Sequence, residues 1–259
     1  MLVAGLSSTF VLIGLLLLLV NSPGWKIVQE TFFDFNYGIS VLHLVAKGLL
    51  VNLELTVVAS VSIAVLSLLI ALARTSRSAA LAPMRFLATA YVDIFRGVPL
   101  ILVILLVGFG VPALRLQGMT SNVFVLGTLA IVLTYSAYVA EVIRSGILSV
   151  HPSQRAAARS LGLTQNQTMR FVVLPQAIRR VVPPLLNDLI SLIKDTGLVS
   201  ILGVVDAVRA GQIESSRTFN YTPYVVSALL FLLITIPLTR FTDRVLHKSI
   251  EKQNAQGTA

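Results

Sequence analysis

The sequence predicts an all-α integral membrane protein with about six transmembrane helices. Three observations carry that reading. Apolar residues make up 56% of the 259, and only 12% are charged, against about 25% in soluble domains. Mean hydropathy is +0.87. Apolar runs near the ~20 residues needed to cross a bilayer recur along the chain, and Lys and Arg collect between them. The net charge of +9 is therefore read as basic loops of a membrane protein rather than as a nucleic-acid surface. There is no cysteine, which excludes disulfides and thiolate metal sites.

Leu6 to Val20 is almost purely apolar and is read as the first span. A signal peptide is the other reading, but no Lys or Arg precedes the run, and Asn21-Ser22-Pro23-Gly24 is a poor cleavage site. Residues 21–47 are expected to be a loop. Its crowded aromatics (Trp25, Phe32, Phe33, Phe35, Tyr37) suit either the headgroup level or ordinary packing on the protein. Gly48 to Ala73 is the second span, with Ser60, Ala64, Ser67 and Ala71 forming a small-residue face for a close neighbour. The third span, Phe86 to Val111, contains Pro99, which predicts a kink or break. The fourth, Val123 to Ile147, carries Glu141 and Arg144 at a spacing that lets them pair. The fifth is expected to open at the double proline and run from Pro184 to Gly203. Residues 204–222 read as a polar loop, Pro223 to Phe241 as the sixth span, and 247–259 as a disordered tail. The domain layout is thus 1–47 for the first helix and its outer loop, 48–246 for a five-helix core, and 247–259 for the tail.

Thirteen Lys and Arg fall on one side of this layout and five on the other. The basic excess puts that side, with both termini and the segment 151–175, in the cytoplasm. No internal repeat is visible, which weighs against a secondary transporter.

The segment 151–175 looks soluble. Pro152 suits a first helical turn. Ala156, Ala157 and Ala158 favour helix. Gly162 can take the left-handed conformation that ends one. Thr164 with Gln167 forms a capping box for the next. Two short helices meeting at a glycine corner fit a docking element or a plain loop equally well. In the fifth span, Asn187, Ser191 and Lys194 share one helical face, flanked by Asp188 and Asp195. Charges at mid-bilayer are costly and must face protein or water, so the stripe is either a substrate pathway or a network locking helices together. Arg96, beside Gly97 and Pro99, could receive a carboxylate, or pair with phosphate or Asp93. Catalytic signals are missing: the three histidines have no metal-ligand spacing, and there is no Walker A loop, G-x-S-x-G elbow or H-E-x-x-H helix.

Residues 154–175 resemble the EAA loop of ABC importer permeases. Ala156-Ala157-Ala158 occupy the E-A-A positions, and Gly162, Val172, Leu174 and Pro175 fall at the matching offsets. Arg96-Gly97-Val98-Pro99-Leu100, Ala137 to Glu141 with Arg144 and Gly146, Leu174 to Ala177, and Asn187 to Leu198 are similar to the polar amino acid uptake permeases. The resemblance covers about residues 48–245. It implies a non-enzymatic permease subunit in the bacterial inner membrane that pairs with a second copy or a sister permease. Two ATPase subunits would hold the ATP and magnesium, this chain itself binding no cofactor and no metal. An extracytoplasmic binding protein would deliver the amino acid. It also implies that Ala156, Ala157, Ala158, Arg159, Leu161, Gly162 and Leu163 form the ATPase-coupling helix. Arg96, Glu141, Asn187, Ser191, Lys194 and Asp195 are the candidate pathway residues. Two departures stand out: Ala156 replaces the motif's Glu, and Gly197 replaces the Ser of Lys-Asp-Thr-Ser-Leu. The rival reading is a stand-alone carrier or channel using the same stripe.

Overall fold

A computed structural model describes residues 11, 13–14, 17–76 and 78–257; most of the predicted first span lies outside them. Among the described residues the architecture is all-helical. Helix α1 spans Trp25–Phe32 and α2 spans Phe35–Thr75. A short 3₁₀ turn leads into α3, Ala82–Gly97, and α4 is Leu100–Leu105, continued by a π-turn and a last turn to Ala113. Helix α5 is Val123–Leu148, α6 is Pro152–Ser160 and α7 is Gln165–Thr168. A π-turn over Met169–Val173 precedes α8, Leu174–Asp195. A 3₁₀ stretch, Thr196–Leu202, ends at Gly203 in the left-handed region; α9 is Ala207–Thr218 and α10 is Thr222–Gly257.

Among the described residues three helices are long and apolar enough to cross a membrane: the run Trp25–Thr75, Val123–Leu148 and Thr222–Leu246. The pair Ala79–Gly97 and Leu100–Ala113, bent by 105°, makes a fourth if it counts as one span. Pro99 explains the bend. It has no N–H to donate, and Val98 before it is forced extended, at φ −96° and ψ 131°.

The expected loop over 21–47 is instead mostly helix. Asp34 caps α2 by accepting the Tyr37 N–H, and Gly38, Val41, Val45, Gly48 and Asn52 then bury one continuous face. His43 and Lys47 interrupt the hydropathy but sit on the opposite, exposed face. At ~1.5 Å per residue α2 exceeds the ~30 Å hydrocarbon core, so it extends well beyond the bilayer.

Nor does the double proline open a helix. Pro175 supplies the early-turn proline of α8, and Pro183 and Pro184 lie inside it. They leave the carbonyls of Arg179 and Arg180 without their usual helical donors. With its several charges, α8 is not among the helices apolar enough to cross by composition. The expected polar loop 204–222 contains α9, which Asp206 caps through the Arg209 N–H at 2.8 Å. The expected disordered tail continues α10 to Gly257.

The main core joins α2, α4, α5, α8 and the 3₁₀ stretch after it around Leu55, Ile104, Ile131, Leu192 and Val199. At the junction of α2 with α9, Gly48 lets two backbones touch: a Cβ there would lie 2.5 Å from the Asp206 carbonyl carbon. Gly197 is matched to its surroundings in the same way, since a Cβ would meet Val208 at 3.0 Å. The glycine that departs from the family's serine is thus a packing choice paired with Val208.

Candidate functional site

Helix α6 starts at Pro152 and ends in a Schellman turn. The Leu163 N–H reaches the Ala158 carbonyl, and the Gly162 N–H reaches the Arg159 carbonyl. Gly162 has φ +84°, which favours glycine. The Thr164–Gln167 capping box then forms as predicted, with bonds of 3.3 and 2.8 Å. This module turns one face outward. Ala156, Ala157, Arg159 and Gly162 are exposed, and Leu161 is 84% exposed. Ala158 packs inward and Leu163 is half-buried. Nothing bonds to the Ala156 side chain; its carbonyl accepts from the Ser160 hydroxyl.

A cavity of about 360 Å³ opens between α2, α5 and α8. Ser60, Ala64 and Ser67 line it from α2, Tyr135 and Ile143 from α5, and Asp188 from α8. Most of the lining is apolar. Two polar atoms stand out: Asp188 Oδ2 and Ser60 Oγ are buried and have no hydrogen-bond partner among the described residues. A buried unpaired carboxylate oxygen is expensive, by about 1–3 kcal/mol or more, unless a ligand or water completes it.

Tyr135 donates its hydroxyl to Asp195 Oδ2 at 2.7 Å. Its ring lies 6.3 Å from that of Tyr138, and the Arg96 guanidinium sits over Tyr138 at 5.8 Å. The structure therefore strings Arg96 and Asp195 along one aromatic pair on α5. No ion pair joins Arg96 to Asp93 among the described residues. Glu141 lies elsewhere, clamped between Arg144 of its own helix and Arg74 of α2, both at 2.5 Å. The predicted pairing of Glu141 with Arg144 forms, and Arg74 joins it. Asn187 and Lys194 are exposed and Ser191 is half-buried, so the stripe faces out of this single chain, not into the cavity.

A second polar centre lies at the C-terminal end of α8. Asn52 Nδ2 donates to Asp206 Oδ2 at 3.0 Å and to Thr196 Oγ1 at 3.1 Å, while Asn52 Oδ1 accepts the Ala207 N–H at 3.1 Å. All four of these residues are fully buried. Burial pushes the Asp206 carboxyl above the usual range, and the N–H of Arg209 and the Asn52 amide pull it partly back.

Residues 78–250 match the family described as the binding-protein-dependent transport system inner membrane component. The chain belongs to that family. This permease is 35% identical over 207 residues to a putative glutamine transport system permease protein, GlnP, of Rickettsia bellii, covering 80% of the chain and 92% of the relative. It is 29% identical to the arginine transport system permease protein ArtQ of Bacillus subtilis over 85% of the chain and 99% of the relative. A solved amino acid ABC transporter superposes with a TM-score of 0.77 at 34% identity, over 83% of this chain and 98% of that one. A methionine ABC transporter, MetNI, at 20% identity and TM-score 0.62, shares the fold. The protein is therefore the membrane-embedded permease subunit of an ABC importer, with no enzymatic role, and permeases of this kind work with an ATPase and a binding protein. The stand-alone carrier finds no support. In the sequence Asp188 stands only as a flank of the stripe. Its one-residue offset from Asn187, about 100° round a helix, was the signal that it faces the other way.

Proposed function

We propose that this permease carries a polar amino acid or close derivative, and that the cavity between α2, α5 and α8 is where the substrate is held. The unpaired Asp188 carboxylate oxygen supports this most directly. Together with the Ser60 hydroxyl it offers acceptors to an ammonium group, in otherwise apolar surroundings that strengthen the attraction. The amino acid relatives point the same way. Arg96, Asp195 and the outward stripe of Asn187, Ser191 and Lys194 extend the route, the stripe facing a second permease copy or a sister subunit. Glu141 stands at the inner end of that route.

In this reading both termini and the α6–α7 module are cytoplasmic. The exposed face of Ala156, Ala157, Arg159, Leu161 and Gly162 seats on an ATPase that holds the ATP and magnesium. Closure of the ATPase pair drives the module, which opens the route to one side at a time. The test is ATP hydrolysis by the reconstituted complex with its binding protein across a panel of amino acids. Stimulation by one class, lost in Asp188→Asn while the complex still assembles, is the expected result. Undiminished stimulation and uptake in Asp188→Asn would sink the assignment of the cavity.

A further inference from the structure

The inner end of α5 is gripped by the segment that follows it. The last carbonyls of a helix have no partner within it. Two of these on α5 are taken by arginines from other elements. Arg155 of α6 donates Nη2 to the Ile147 carbonyl, and Arg180 of α8 donates Nη1 to the Ser149 carbonyl. Arg155 is half-buried. Between the two grips, Ile147, Val150, Val173 and Ala177 form a separate small core. Gly146 lets α8 lie directly against α5; a Cβ there would meet Val181 at 2.1 Å. One turn further into the membrane, Ile143 of α5 lines the cavity, and the Arg74–Glu141–Arg144 cluster fastens α5 to α2.

We propose that Arg155 and Arg180 are positioning residues that make α5 move with the α6–α7 module, so that the cavity is reshaped from its α5 side as well as through α8. This rests on the module being the ATPase contact. Arg155 holds α5 to the module and Arg180 holds it to α8, which continues from the module, so charged donors on two separate carbonyls resist both sliding and rotation of α5, which apolar packing alone resists poorly. The Arg74–Glu141 bond then passes the displacement to α2, the opposite side of the cavity.

The chain has no cysteine, so one reporter can be placed cleanly. Ile143→Cys puts a thiol in the cavity on α5. In the full complex with ATPase and binding protein, its modification rate by a small thiol reagent should differ between the nucleotide-free and the ATP–vanadate states. With Arg155→Met and Arg180→Met added, that difference should vanish while the complex still hydrolyses ATP. Transport per ATP should fall about tenfold, the factor that ~1.4 kcal/mol of lost coupling represents. Lysine at both positions keeps a donor and should restore part of the response. If the double variant does not assemble, Arg180→Met alone carries the same readout. A nucleotide response that survives the methionines overturns the proposal, and so does loss of assembly in every variant, lysines included. Leu161→Asp separates this from the underlying reading. If it leaves the ATPase bound, the module is not the contact; if it releases the ATPase while the methionine variants still respond, only the arginine linkage fails.

Discussion

Gly162 holds φ +84° with open space around the position a Cβ would take, so its constraint is conformational rather than steric. Proline cannot adopt that φ, and Gly162→Pro must rebuild the corner of the module. We expect a variant that reaches the membrane and whose assembled complex hydrolyses ATP without importing substrate; uptake at the wild-type rate would remove the corner from the coupling route. Asp206 makes a different kind of prediction. Its folded carboxyl titrates above the unfolded value of ~3.9, because burial favours the neutral form. The stability it contributes is thus full below the unfolded value and is lost as pH rises through the raised folded value. Thermal stability of the purified complex should increase on mild acidification. Asp206→Asn, which keeps an oxygen to cap α9, should flatten that dependence. A profile identical to the parent's would mean that Asp206 is not what titrates there.

The glycines decide how the helices meet. Gly146 on α5 admits Val181 of α8 with no room for a methyl. Gly146→Ala should push the two apart and cost about 1–3 kcal/mol, the range for overpacking. Val181→Ala on top of it should recover most of the loss, because the intruding methyl is the one removed. Thermal aggregation of the four proteins of that cycle measures the coupling, and additive losses would mean the seam is looser than described. The same scale shows where the sequence was legible. Pro99, the capping box and the Glu141–Arg144 pair act within a turn or two of themselves, and each is where its local chemistry puts it. The start of α2 was not legible, because Lys47 and His43 dilute the hydropathy although they sit on one face. The start of α8 was missed for the opposite reason. Pro183–Pro184 is a strong local stop signal, overridden by the packing of Ala177 and Val181 on α5.

Across the whole molecule, the cavity could not be read because its three sides come from residues far apart in sequence. Asn187 and Lys194 share a face, and that face leads out of the chain. Asp188, one residue along, leads in. In the proposed assembly the polar stripe, open on this chain's own surface, is completed by another subunit. Uptake should therefore require ATP and the binding protein and ignore an imposed ion gradient, and the chain alone in liposomes should carry nothing. Transport by the isolated chain would contradict the assembly. Lys194→Ala should impair uptake more than it impairs assembly; if the complex fails to form and nothing else changes, the stripe is only an interface.

Leu161 has a bearing on the life of the protein before it works. At 84% exposure beside a left-handed glycine, it is an oily tip on a tight corner. With the module seated on the ATPase as proposed, a copy made ahead of its ATPase would show that tip to chaperones and proteases, while a seated copy would hide it. The corner that serves coupling would then also count subunits. Permease left over from unequal synthesis would be cut first between α6 and α7, and the amount surviving in the membrane would follow the supply of ATPase rather than of its own message.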